Sequence, residues 1–166
     1  MQPELLTDEI VDQDEPAERY LVFTLGGEIY GTTLTSVKEV MKKTEIKTVP
    51  YMKSYFKGVI NLRGRIISVV DLREKFKISP GEKSVDLMLV VENDQAFMAA
   101  IVDDVISVSV IKQDDIVQVS SASKSIPPQY FRGVGKINDS LVNMIQLDQI
   151  LSNDDYAVIH RMEEAS

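Results

Sequence analysis

Residues 55–76 read YFKGVINLRGRIISVVDLREKF, and residues 130–151 read YFRGVGKINDSLVNMIQLDQIL, the same segment restated without a gap 75 residues later. Tyr55/Tyr130, Phe56/Phe131, Gly58/Gly133, Val59/Val134 and Leu72/Leu147 are identical. Leu62/Ile137, Ile66/Leu141, Ile67/Val142, Val69/Met144, Val70/Ile145 and Phe76/Leu151 keep their apolar character. Five identities carry little weight alone; the preserved phase of the apolar positions is what marks a duplication. On the N-terminal side, Lys47-Thr48-Val49-Pro50 returns as Lys124-Ser125-Ile126-Pro127. Residues 30–34 are echoed by 97–101 behind the turns Gly26-Gly27 and Asn93-Asp94. Nearly the whole body is thus a repeated unit of about 70 residues, a size at which one copy struggles to bury its own core, so the copies are expected to lean on each other.

Residues 20–25 (YLVFTL) are aromatic and β-branched, reach Gly26-Gly27 and resume at 28–32, the pattern of a hairpin. Their counterparts are 86–91, the turn Asn93-Asp94, and 95–103. Ser36 and Glu39 have the spacing of a helix-capping box, but the partner segment 105–110 (VISVSV) alternates with period two and is β-branched almost throughout, so 37–41 is read as a strand. Residues 58–62 and 65–70 form a second hairpin through Arg63-Gly64, with Asn138-Asp139 in the same turn role. Asp71 is placed to cap a brief helix over 72–76. Pro50 and Pro127 each precede a single turn, and Pro80-Gly81 opens the connector between copies. Leu147, Ile150, Leu151, Val158, Ile159 and Met162 recur at roughly helical spacing, interrupted at 152–155.

The expected fold is all-β with minor helices: two tandem five-stranded barrels packed side by side with a groove between them, and a short C-terminal helix. Short antiparallel strands lose their exposed edges by curling on themselves. The expected division is an acidic flexible leader over 1–18, a first barrel over 19–80, a second over 81–146 and a helical segment over 147–166, the barrels forming one compact domain.

The net charge is −8, yet seven acids precede the first basic residue, Arg19; from Arg19 onward 19 acids face 18 bases, a net −1. A nucleic-acid binder needs a basic stripe to displace counterions from phosphates, and none is seen, so no nucleic acid is expected. No apolar run approaches the ~20 residues that span a bilayer, and residues 1–19 lack the form of a signal peptide. The expectation is a cytoplasmic chain without direct membrane insertion. There is no cysteine, hence no disulfide, thiolate site or cysteine nucleophile. The sequence offers no second histidine with which its single one, His160, could build a triad or a metal cluster, and His160 is read as a solvated helix residue. Asp103-Asp104, Asp114-Asp115 and Asp154-Asp155 are read as turn and capping residues, since strand neighbours point to opposite faces. No metal, no cofactor and no enzymatic activity are expected.

There remain residues 58–64 (GVINLRG) and 68–73 (SVVDLR). A hairpin with a solvated arginine explains them, but the second copy keeps the hairpin with Asn138-Asp139 where the first has Arg63-Gly64. Fold alone does not require Arg63, so a binding role is sought there. At these residues the chain resembles the CheW family, the coupling proteins of bacterial chemotaxis, from about residue 20 to 151. The likeness is carried by 21–26, Tyr30-Gly31, 37–40, Val49-Pro50, 58–73, Val102-Asp103-Asp104-Val105 with Val108, and 131–135. Thr33, Ser68 and Ala99-Ala100 depart from the usual family residues.

The resemblance implies two SH3-like barrels and a non-enzymatic adaptor that holds methyl-accepting chemotaxis receptors, by their cytoplasmic signalling tips, to the regulatory domain of the histidine kinase CheA. Such a protein is a monomer alone, recruited into membrane receptor arrays. By the same resemblance Val37, Glu39, Gly58, Arg63, Val105 and Val108 are receptor-facing or neighbouring positions, with Glu39 and Arg63 able to pair. The polar loop 117–125, with Val117, Ser121 and Ala122, is the candidate kinase surface. The competing reading is a small-barrel module that takes a nucleic-acid strand or peptide by stacking on Tyr51, Tyr55 and Tyr130.

Overall fold

The computed structural model describes residues 17–50, 52–92, 96–118, 126–152, 155 and 159–161. Among these, the strands are β1 (Ala17–Leu25), β2 (Glu28–Thr33), β3 (Val37–Lys42), β4 (Phe56–Leu62), β5 (Arg65–Asp71), β6 (Leu87–Glu92), β7 (Phe97–Val102), β8 (Asp104–Lys112), β9 (Phe131–Ile137) and β10 (Ser140–Ile145). One short helix, α1 (Leu72–Lys75), follows β5, and its first turn is capped by Asp71 accepting from the Arg73 N–H. The hairpin turns Gly26-Gly27, Arg63-Gly64 and Asn138-Asp139 all have positive φ at both central residues, the backbone that joins two twisted strands through two residues.

The strands form two five-stranded sheets in the orders β8-β1-β2-β10-β9 and β3-β6-β7-β5-β4. Advancing each strand of the second order by five, cyclically, gives the first, so the sheets are equivalent copies. Each nevertheless draws on both halves of the chain: hairpin β1–β2 sits with β8–β10, and hairpin β6–β7 with β3–β5. The expected division into one barrel over 19–80 and another over 81–146 is corrected accordingly. Parallel pairing makes the exchange, Tyr30 and Gly31 of β2 lying beside Asn143 and Met144 of β10, and 68–71 of β5 beside 98–101 of β7. Antiparallel hairpins announce themselves by a turn; a parallel pair between distant strands leaves no local signal. The leader is also shorter than expected, because Ala17 and Glu18 already pair with Lys112 and Ile111 in β1–β8; residues 1–16 lie outside the described ones.

Each sheet closes on itself. β3 and β4 are the two edges of one sheet, and the chain leaving β3 returns to bridge β4 at Lys47↔Val59; the chain leaving β8 does the same to β9 at Val117↔Val134. Both seams exchange two backbone hydrogen bonds of 2.9 Å.

Three apolar cores result. Ile60, Ile67, Val69, Met88, Val90, Ala99 and Ile101 fill one barrel, and Tyr20, Val22, Ile111, Val142 and Met144 the other. The largest cluster lies between the barrels and takes the alternate residues of the same strands, among them Leu21, Phe23 and Leu25 of β1, Leu89 and Val91 of β6, and Met98, Ala100 and Val102 of β7. These strands are therefore buried on both faces, which explains their near-continuous apolar runs. The expected groove between the barrels is, over this area, a packed core.

Past β10 the chain makes a 3-10 turn at Leu147–Gln149, and Asp155 and residues 159–161 are helical. Ser152 Oγ accepts from the Asp155 N–H at 3.1 Å and Asp155 Oδ2 accepts from the Ser152 N–H at 3.0 Å, a reciprocal capping pair. Of the segment expected to interrupt the C-terminal helix, Ser152 and Asp155 are described, and they hold each other; residues 153–154 and 156–158 lie outside the described ones.

Candidate partner-docking site

Both β3 and β8 are edge strands, and both carry a valine, two residues, and a second valine: Val37 and Val40, Val105 and Val108. Residues three apart in a regular strand face opposite ways. Here a bulge lies inside each interval. Val37 sits opposite Val91 and Val40 opposite Leu89 in β6; Val105 sits opposite Phe23 and Val108 opposite Leu21 in β1. The extra residue, Lys38 in β3 and Ile106 in β8, turns each valine pair onto the face that meets the inter-barrel core. Val37 and Val105 pack against that core, half-buried. Val40 and Val108, farther along, are 41% and 52% exposed, and Val110, opposite Arg19, is 54% exposed. Val40 was not among the expected site residues; the constant offset of 68 between Val37/Val105 and Val40/Val108 is the sequence signal that picks it out.

Glu39 faces the other way, opposite Val90 and the mouth of its own barrel. There it meets Arg63, raised on the β4–β5 turn with φ 53°. The guanidinium donates from Nη1 to Oε1 at 2.7 Å and from Nη2 to Oε2 at 3.2 Å, a two-pronged pair that fixes the arginine's plane. The Glu39 carboxylate accordingly raises the pKa of Arg63 above its ordinary value. Arg63 stays 73% exposed, so the pair orients a charged group that still faces solvent. Beside it Arg65 lies over the Phe97 ring at 4.3 Å, and these residues with Lys38, Leu62 and Ile67 line a shallow groove.

Gly58 belongs elsewhere. It is buried at the barrel seam with φ 139°, and a Cβ there would lie 2.0 Å from the Lys47 carbonyl oxygen. Its counterpart Gly133 has the same φ, and a Cβ would come within 2.7 Å of the Val117 carbonyl oxygen. The glycine shared by both copies thus permits closure of each barrel. Val117 closes the second seam with its backbone and leaves its side chain 60% exposed; Ser121 and Ala122 lie outside the described residues.

One constellation was not anticipated from the sequence. Arg73 is buried and donates to Asp71 (3.0 Å), Asp86 (2.7 Å), Asp103 (2.9 Å) and Ser84 (2.9 Å). Asp103, between β7 of one barrel and β8 of the other, also accepts from the Gly26 N–H at 2.6 Å and the Gly81 N–H at 2.9 Å. Burial pushes its carboxyl up, but Arg73 and the two backbone donors outweigh burial and hold its pKa below the usual carboxylate range. One carboxylate thereby ties both barrels and the connector together immediately before the valine row of β8. Scattered between Asp71 and Asp103, with Gly26 farther upstream, these residues gave no motif.

Among the described residues, the tyrosines of the competing reading are held by packing and hydrogen bonding. Tyr55 gives its hydroxyl to buried Asp155 and packs on Phe56 at 5.1 Å, and Tyr130 packs on Phe76 at 6.4 Å; Tyr51 lies outside the described residues. Rings held this way offer no stacked face to a strand of bases.

Two closed barrels sharing one core, with valine rows on their edge strands and, among the described residues, no cluster of three or more metal-ligating side chains, define a small-β-barrel binding protein. The CheW-like domain family matches residues 19–155, and the chain belongs to it. It is 26% identical over 151 residues to chemotaxis protein CheW of Klebsiella aerogenes, covering 89% of this chain and 90% of that protein. To chemotaxis protein CheW of Helicobacter pylori it is 29% identical over 144 residues, covering 86% and 87%. The crystal structure of the scaffolding protein TtCheW from Thermoanaerobacter tengcongensis matches with a TM-score of 0.74 at 31% identity, covering 83% of this chain and 90% of that one.

Proposed function

We propose that the chain is a chemotaxis coupling adaptor that holds chemoreceptor signalling tips and the regulatory domain of the kinase CheA in one assembly. The observation that carries this reading is the row Val105, Val108 and Val110 on an edge strand, half-buried at one end and more than half exposed at the other. Such a row suits the apolar stripe of a helix laid along it, and the oriented Arg63 supplies a polar contact that sets register. Membership of a family with a scaffolding member agrees with binding as the whole activity. No helix among the described residues is long and apolar enough to cross a membrane; in this proposal the chain reaches a receptor array through its partners.

The kinase contact is assigned to the second seam, around Val117 and the loop that follows, with Ser121 and Ala122 part of it. Each contact alone is modest, and repetition across an array raises the effective concentration of every partner. Capture of a receptor signalling fragment and of CheA, each alone, on immobilised protein tests the proposal. The wild type captures both. Arg63→Glu sets a carboxylate against Glu39 and weakens receptor capture while leaving thermal unfolding unchanged. A wild type that ignores both partners would reject the reading.

A further inference from the structure

The same end of the two barrels is finished in different ways. In the barrel of β3 to β7, Asp71 at the end of β5, Asp86 just before β6 and Lys57 at the start of β4 are all neutralised by the chain itself. Arg73 donates to Asp71 and Asp86, Lys43 lies 3.8 Å from Asp86, and Glu74 pairs with Lys57 at 2.6 Å. The offset of 68 that relates the valine rows carries Asp86 back to Glu18 and Lys43 forward to Ile111. The offset of 75 between the repeated segments carries Asp71 to Gln146, Lys57 to Arg132, Arg73 to Asp148 and Glu74 to Gln149. The other barrel thus keeps one acid and one base at this end and replaces the side chains that would neutralise them. Glu18 and Arg132 are both exposed, and among the described residues neither has an ion pair.

Both line a cavity of about 200 Å³ at which all five strands of that barrel begin or end. Tyr20 and Met144 of the barrel's own core form its inner wall, and Gln113 and Gln146 add polar groups. Burial raises the pKa of the Tyr20 hydroxyl and Glu18 raises it further, while Arg132 and a hydrogen bond with Gln113 act downward. Both charges therefore act on one buried hydroxyl. The space is several times the ~30 Å³ share of a water and smaller than the ~300–1,000 Å³ of sites for drug-sized ligands; a single side chain or amino acid is the class that fits. A lone cation there is repelled by Arg132 and a lone anion by Glu18, so the site selects a ligand that brings both signs. A guanidinium suits the cationic half better than an ammonium, because its planar fork donates to two acceptors at once, as Arg73 does in the sister barrel.

We infer that this end of the barrel binds a guanidinium group that arrives with a carboxylate. The guanidinium donates to the side-chain oxygens of Glu18 and Gln146, as Arg73 does to Asp86 and Asp71, and the carboxylate pairs with Arg132, as Glu74 does with Lys57. Free arginine carries both groups in one molecule; a protein carries them as an arginine with an acidic neighbour. Ile116 and Gln118 of the same cavity flank Val117, so the protein source is the kinase, and that source alone rests on the coupling function proposed above.

The test follows amide shifts of the full chain during titration with L-arginine, with agmatine, which lacks the carboxylate, and with citrulline, whose neutral urea replaces the guanidinium. Arginine is expected to give saturable shifts at Tyr20, Gln113 and Gln146, and the other two to bind about tenfold or more weakly through loss of one charge-assisted pair. Glu18→Gln is expected to bind arginine and citrulline alike, and Arg132→Gln to bind arginine and agmatine alike, with thermal unfolding unchanged in both. Equal binding of the three ligands to the wild type, or preferences that survive both substitutions, overturns the inference. If arginine gives no saturable shift, the source is the kinase, and each substitution is expected to lower CheA capture by about tenfold while leaving receptor capture unchanged. No arginine shift together with CheA capture that ignores both substitutions, or with no CheA capture by the wild type, overturns the inference as well. A wild type that binds arginine but captures neither CheA nor receptor rejects the coupling reading and leaves this site standing.

Discussion

Gly58 and Gly133 show how much a single missing Cβ decides. With φ 139° and a carbonyl oxygen 2.0 Å from where its Cβ would lie, Gly58 tolerates no side chain unless the seam opens. Gly58→Ala is expected to lower unfolding stability by about 2–4 kcal/mol, read from the denaturant midpoint. Gly64→Ala, at φ 83° with nothing within 4 Å, is expected to cost only about 1 kcal/mol. Equal losses at the two sites would refute the seam explanation. The sequence marked both glycines by repetition but could not separate a binding role from closure, because the contacting carbonyls come from segments with no shared motif. Asp103 and Asp155 make a second case. Burial raises both carboxyls, but their donors prevail: Arg73, Gly81 and Gly26 for the first, Tyr55, Ser152 and Lys75 for the second. A depressed folded pKa gives stability that is present above the unfolded value of about 3.9 and lost as pH falls through the folded value. Asp103→Asn is therefore expected to cost about 2–3 kcal/mol at neutral pH and to flatten the acid side of the stability profile, measured as unfolding midpoint between pH 2 and 7. An unaltered acid slope would deny the network its role.

At the scale of elements, strand identity followed from alternation and turns, and the hairpins through Gly26-Gly27, Arg63-Gly64 and Asn138-Asp139 lie where expected. The bulges did not show in the sequence, because one extra residue in a β-branched run leaves the run looking regular. Yet they place Val37 with Val40 and Val105 with Val108. Val108→Asp is expected to reduce receptor capture at least tenfold, since desolvating a carboxylate against an apolar helix costs more than about 1.4 kcal/mol, with little change in melting because the side chain is 52% exposed. Binding unchanged by Val108→Asp would remove β8 from the site. Near the end of the chain, Ser152 and Asp155 have capping-box spacing with aspartate in the last position, and they exchange the two hydrogen bonds of that motif. Ser152→Ala is expected to cost about 1 kcal/mol and to increase amide exchange at Ile159 and His160 before it affects β10.

For the molecule as a whole, duplication was readable and its topology was not. Each half contributes three strands to one barrel and two to the other, so neither half contains a complete barrel. Residues 17–80 and 81–161 made separately are expected to be unfolded by circular dichroism and to assemble into native-like material when mixed. A folded 17–80 would restore the consecutive arrangement first expected. The same exchange places one large core between the barrels and makes the valine rows its margins, so the proposed docking surface borders that core.

The most direct measurement is amide exchange of the full chain with and without a receptor signalling fragment. Protection is expected at residues 37–42 and 105–110, the two valine rows, and it should disappear with Val108→Asp. Protection confined to other strands, or no change on adding the fragment, would contradict a receptor-coupling role for these rows.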